Sequence, residues 1–152
     1  ELDTIIVPVG GGSGACSTAI VAKSIRPDVE VIGVQASSAP AVYNSWKSGK
    51  LQTSPMESIA EGLATNSAYE PALSILKDKL DDFILVSDEE MEDAVLKHLQ
   101  HTRNLVEHAG AASLAGAMKI GGNLTGKKVV LVASGGNLSM EHLVRALERY
   151  KD

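Results

Sequence analysis

The chain has 152 residues, of which 44% are hydrophobic, 22% charged and only 3% aromatic, with a formal net charge of −5. That length suits one domain with a sizeable core, while the acidic balance and the shortage of aromatic rings argue against a nucleic-acid surface. No apolar run approaches the roughly 20 residues of a membrane span, so the sequence predicts no membrane partner.

Asp3–Val9 reads as a buried strand, broken by Gly10-Gly11-Gly12-Ser13-Gly14, and Ala15–Ile25 as a helix stopped by Arg26-Pro27. Val29–Gln35 is a second strand, and Ala39–Lys47 is helical up to Ser48-Gly49. Ser54–Ser67 lacks periodicity and reads as a loop with a short strand; Tyr69–Leu80 is a helix and Asp82–Val86 a third strand. Ser87-x-x-Glu90 has capping-box spacing and opens a helix expected to run to about Arg103. Glu107-His108-Ala109-Gly110-Ala111-Ala112 begins a helix of very small residues that ends near Gly121-Gly122. Lys128–Ala133 is the fourth strand, Ser134-Gly135-Gly136-Asn137 a tight turn, and Met140–Tyr150 the closing helix.

Strands alternating with helices predict a single α/β domain over residues 1–152: a three-layer parallel sheet of about four strands, with helices on both faces. In such sheets ligands gather beyond the carboxyl ends of the strands. The Gly10–Gly14 loop, the Ser134 turn and Glu107 are all expected at that edge. The first strand starts almost at the first residue, without an initiator methionine, and the chain is expected to be cut from a larger protein.

The glycine loop is the most informative feature. Glycine lets successive backbone N–H groups converge, and a helix N-terminus just behind adds partial positive charge, an arrangement suited to a phosphate. Gly10-x-Gly12-x-x-Ala15 also satisfies a dinucleotide fingerprint by letter, but Gln35 stands where an acid would hold a ribose hydroxyl. A nucleotide site, a structural turn without ligand and a compact coenzyme phosphate are all compatible with the loop alone.

Five segments together narrow the choice: Pro8–Gly14, Ser58-Ile59-Ala60-Glu61-Gly62, Val86-Ser87-Asp88-Glu89-Glu90, Val106-Glu107-His108-Ala109-Gly110-Ala111-Ala112, and Val132-Ala133-Ser134-Gly135-Gly136-Asn137. Through them the chain resembles the fold-type II enzymes that use pyridoxal phosphate (PLP), which are tryptophan synthase β-like in fold. Within these it is most similar to the serine/threonine dehydratases, or threonine ammonia-lyases. The resemblance covers only the second half of such an enzyme. It implies that Gly10, Gly11, Gly12, Ser13 and Gly14 hold the PLP phosphate, and that Gly62 borders the ring. Glu107 would lie near coenzyme and substrate, Ser134 would face the pyridine nitrogen, and Gly135, Gly136 and Asn137 would shape the turn that presents it. The implied activity of the intact parent is deamination of L-threonine or L-serine by β-elimination, in a cytoplasmic homo-oligomer. The Schiff-base lysine of the family lies in the missing half, so the chain alone is expected to be inactive. Alternatives are threonine synthase, serine racemase, or a non-catalytic nucleotide-binding domain.

Other residues carry less. Ser45-Trp46-Lys47 imitates the family's lysine motif but falls after the loop, so Lys47 is expected on a solvated helix face. His98 and His101 read as surface histidines rather than metal ligands, because no third ligand is evident. Gln35 and Ala41 occupy the places where some relatives bind a cation, and no metal is expected. Cys16 is expected to pack as a small apolar group; its lack of an internal partner fits a reducing cytoplasm. Asp88, Glu89, Glu90, Glu92 and Asp93 read as a charged helix start favoured by the dipole. Glu107 could owe its place to the same effect, and Ser134 could be a backbone cap. His108 is assigned no role.

Overall fold

A computed structural model describes residues 1–149; Tyr150, expected at the end of the last helix, lies outside them. The elements run β1 (Thr4–Pro8), α1 (Ser13–Ile25), β2 (Glu30–Ala36), α2 (Ala41–Ser48), α3 (Glu70–Lys79), β3 (Asp82–Val86), α4 (Asp88–Lys97), α5 (His108–Lys119), β4 (Val129–Leu131) and α6 (Met140–Arg149). All strand pairs are parallel, and the sheet order is β3-β2-β1-β4. The α/β class, the four strands and the helix-covered faces agree with the sequence reading.

Alternation along the strands builds two cores. Ile5, Val7 and Val9 point to one face and pack with Val31 and Phe83 under α1, α2 and α3, through Ala15, Ala19, Val42, Leu73 and Leu76. Ile6, Ile32, Val34, Ile84 and Val86 point to the other and meet Met91, Val95 and Ala112 of α4 and α5. Each fully buried aliphatic side chain contributes about 1.5–3 kcal/mol, so β1, filled on both faces, anchors everything that leaves its carboxyl end. Small residues let α5 lie close to the sheet: a Cβ on Gly116 would come within 2.8 Å of Val34 Cγ2. Cys16 is buried beside α3, and burial pushes its thiol pKa up, as expected of a packing group.

Several boundaries differ from the sequence reading. The expected helix 88–103 closes as α4 at Lys97 and continues as a π turn over His98–Thr102. There the Thr102 hydroxyl donates to the His98 carbonyl, and Arg103 adopts a left-handed conformation with φ 60°. No strand forms within Ser54–Ser67; isolated bridges pair Thr53 with Ser67 and Pro40 with Thr65, and a short 3₁₀ turn covers Glu61–Leu63. α1 begins at Ser13 rather than Ala15, because Gly12, at φ 97°, turns the chain directly into the helix. β4 keeps only three of the six expected residues, since among the described residues β1 is its sole pairing partner.

Two side-chain expectations also change. His98 is buried, not a surface residue. Glu92 leaves the charged helix start altogether: its carboxylate is 1% exposed and meets Arg145 Nε at 2.9 Å and Arg149 Nη1 at 3.2 Å. Helical periodicity from Ser87 places Glu92 on the inward face of α4, and α6 brings the cations that pair with it. Lys47 lies on the exposed face of α2, as expected, and Ser45 bonds the Ala41 carbonyl instead of facing a site.

Candidate functional site

The carboxyl ends of β1 and β4 open onto a cleft of about 270 Å³ lined by Pro8, Gly10, Gly11, Gly12, Ser13, Gly14, Gly62, Leu63, Glu107, Ala109 and Ser134. Eight of the eleven residues named from the sequence therefore line one cleft. Asn137 instead borders an adjoining cleft of about 260 Å³ with Glu107, His108, Ala109, Glu141 and His142. Gly135 and Gly136 line neither. No lysine is among the lining residues.

The loop's amides are bare. Val9 N–H donates to the Val34 carbonyl at 2.8 Å, and Cys16 N–H closes the first turn of α1 on Gly12 at 2.8 Å. Between them, the N–H groups from Gly10 to Ala15 have no intramolecular acceptor among the described residues, and no side chain caps α1. A row of unpaired donors at a helix N-terminus is a ready anion site. The glycines differ in what requires them. A Cβ on Gly10 would collide with the Gly62 carbonyl, and Gly12 needs its left-handed φ. A Cβ on Gly14 would meet nothing within 4 Å, so no contact within the protein demands a glycine there.

On the opposite side the Ser134 turn leaves β4 and packs on the start of α5. Glu107 N–H donates to the Gly135 carbonyl at 3.1 Å, and a Cβ on Gly135 would collide with the Glu107 carboxylate. A Cβ on Gly110 would approach the Gly135 carbonyl to 2.5 Å. Gly135 and Gly110 thus let turn and helix touch, while Ser134 stays exposed at the cleft. Glu107 is the N-cap of α5 but makes no side-chain capping bond, so capping does not account for it.

His108, given no role from the sequence, is 2% exposed, with Nε2 unpaired among the described residues. Burial holds its pKa down to about 4, helped by the nearby His142 and Arg145 and opposed by Asp88. Its ring meets His142 of α6 edge to face at 5.1 Å. Among the described residues no three His, Cys, Asp or Glu side chains are grouped to hold a metal ion. Gln35 is fully buried: its Oε1 accepts from Tyr43 N–H at 2.9 Å and its amide donates to Thr65 Oγ1 at 3.4 Å.

A cradle of unpaired amides, with glycines where side chains would fill it, fits a phosphate-bearing coenzyme. Comparison with known proteins identifies the class. Residues 1–135 match the family model described as pyridoxal-phosphate dependent enzyme, and the chain belongs to that family, whose cofactor is PLP.

Within the family, the chain is 30% identical to the L-threonine ammonia-lyase of Thermotoga maritima over 151 residues, covering 98% of this chain and 37% of that protein. Threonine deaminase isoform 2 of Solanum lycopersicum superposes with a TM-score of 0.90 at 26% identity, covering 97% of this chain and 44% of that one. Serine racemase of Dictyostelium discoideum superposes with a TM-score of 0.84 at 32% identity, covering 92% and 45%. The chain therefore spans less than half the length of these relatives.

Proposed function

We propose that this chain is the phosphate-binding half of a PLP-dependent ammonia-lyase acting on L-threonine or L-serine. The unpaired amide row from Gly10 to Ala15, facing Gly62, Glu107 and Ser134 across one cleft, carries the reading. The amides of Gly10, Gly11, Gly12, Ser13 and Gly14 bind the coenzyme phosphate, with α1 adding its dipole. Gly62 borders the ring. Ser134 offers a neutral hydroxyl to the pyridine nitrogen, and Gly135, Gly136 and Asn137 hold the turn that presents it. Glu107 stands at the substrate side, where its carboxylate orients polar groups of coenzyme or substrate.

PLP, when bound, supplies an electron sink for the bonding pair released at the substrate α-carbon. Ser134 limits that sink, because a hydroxyl does not keep the nitrogen protonated as a carboxylate would. Prompt loss of the β-hydroxyl as water is then favoured over transamination; the released enamine would tautomerise to an imine, which water hydrolyses to 2-oxobutanoate or pyruvate and ammonia. The lysine that anchors the coenzyme and moves the α-proton comes from the rest of the parent, so this chain alone binds without turning over. The parent is a homo-oligomer.

Gly14→Ala tests the carrying observation. A methyl there meets nothing in the protein and favours the helix, so stability should hold or rise by up to about 1 kcal/mol, while PLP affinity, read by titration, falls at least about tenfold. Unchanged affinity would remove the phosphate from this loop. Assays of the parent with L-threonine, L-serine and O-phosphohomoserine test the reaction, and turnover of phosphohomoserine alone would replace it with threonine synthase chemistry. The likeness to serine racemase supports a second reading: D-serine appearing faster than pyruvate would favour it.

A further inference from the structure

We propose that Asp88, on the far side of the sheet's carboxyl edge from the glycine loop, is the positioning residue that holds the Ser58–Gly62 wall of the cleft in place. This rests on the PLP reading of that cleft and gives a task to two sequence segments that otherwise stand apart, Ser58–Gly62 and Val86–Glu90.

Asp88 opens α4 immediately after β3. Its helix already has a cap: Ser87 Oγ accepts from Glu90 N–H at 3.1 Å, and Glu90 Oε2 accepts from Ser87 N–H at 2.7 Å. The Asp88 carboxylate is thus free for another element. Its Oδ1 accepts from Ser58 Oγ at 2.6 Å and from Ser38 Oγ at 3.5 Å, and its Oδ2 accepts from Ile59 N–H at 3.2 Å. Ser58 Oγ accepts in turn from Ala60 N–H at 3.1 Å. Both carboxylate oxygens are therefore spent on a segment about 30 residues away in sequence, and the Ser58 contact has the short distance of a charge-assisted bond.

The same segment ends at the cleft. Ala60 leads into the 3₁₀ turn Glu61–Leu63, where Gly62 sits with its carbonyl against Gly10 and its own Cα beside Ala109. A regular strand or long helix would fix such a wall by its own ladder; this one has a single turn and isolated bridges at Thr53 and Thr65. Asp88 supplies the missing constraint at one end of it, four residues before the contact that matters. Displacing Gly62 would open the ring side of the cleft and unseat Gly10.

Hydrogen–deuterium exchange on the whole chain, together with PLP titration followed by coenzyme absorbance, tests the assignment in four variants. Asp88→Ala and Ser58→Ala should speed exchange over residues 58–63 about tenfold and weaken PLP binding about fivefold. Ser58→Thr keeps the hydroxyl and should restore both. Glu89→Ala removes an exposed carboxylate from the same helix turn and should change neither, which separates positioning from the helix dipole. Ser58→Ala carries the test alone should Asp88→Ala fail to fold. Wild-type exchange over 58–63 in Asp88→Ala or Ser58→Ala, or the same change in Glu89→Ala, would overturn the proposal. Absence of PLP uptake by the unsubstituted chain would sink the proposed function instead, and the exchange data would still decide whether Asp88 holds the wall.

Discussion

Two glycine-bearing strand-to-helix turns flank the cleft, and they are built very differently. The Gly10–Gly14 turn leaves β1, which is paired on both sides and buried on both faces, and it is wedged between Gly62 and α3. The Ser134–Asn137 turn leaves β4, a three-residue strand paired only with β1, and its residues are largely exposed. A central strand, with Gly62 and α3 packed against its turn, lets bare amides be held in place there. The edge turn depends instead on one neighbour, the start of α5, through the Glu107–Gly135 bond and the close approach of Gly110. Pre-organisation is thus carried by the sheet on one side of the site and by a helix contact on the other.

Substitutions can break that contrast, and the largest effect is expected at Gly10. Gly10→Val drives a branched side chain into the Gly62 backbone, which cannot give way as a flexible side chain would. A loss of about 3 kcal/mol in urea unfolding is expected, along with loss of PLP binding; a near-neutral result would mean that the central turn is softer than its packing implies.

The next effect is specific to the edge side. The His108 pKa is held at about 4 in the folded protein, against an ordinary value near 6.5. The unfolded chain therefore binds the proton first, and folding loses stability as pH falls from about 6.5 towards 4, on the order of 3 kcal/mol in all. His108→Gln should flatten the unfolding curve in that window. Because the His108–His142 pair ties α5 to α6, exchange near Ser134 should quicken at pH 5 before exchange near Gly10 does.

Gly12→Ala should cost about 1 kcal/mol, from a left-handed φ of 97° and contacts of 3.2 Å to Ala72 and 3.3 Å to Leu76. Ser134→Ala should be the mildest, within about 0.5 kcal/mol in stability because the side chain is exposed. It should nonetheless shift the absorption of bound PLP. A stability loss as large as that of Gly12→Ala would mean that Ser134 is a structural cap.

Much of this was legible in the chain itself, for a local reason. Buried parallel strands read as runs of Val and Ile, and glycines at a strand end mark a turn wherever they occur. Both signals sit in adjacent residues, so four strands, the helix-covered faces and the glycine loop follow without knowledge of the fold. Capping is local too: Ser87 and Glu90 form the box that their spacing announces.

What escaped depends on partners distant in sequence. Glu92 reads as one more acid in a charged turn until α6 brings Arg145 and Arg149 over it. His98 and His108 read as polar residues until neighbouring elements bury them. Asp88 looks like dipole complement, although its oxygens are spent on Ser58 and Ile59. The sequence alone determined which backbone stretches could be strand, helix or bare glycine turn, because those preferences belong to neighbouring residues. Only the tertiary structure decided which charged and polar side chains are buried, paired or left facing the cleft, because that outcome depends on segments as far as 57 residues away for Glu92 and 97 residues away for Glu30.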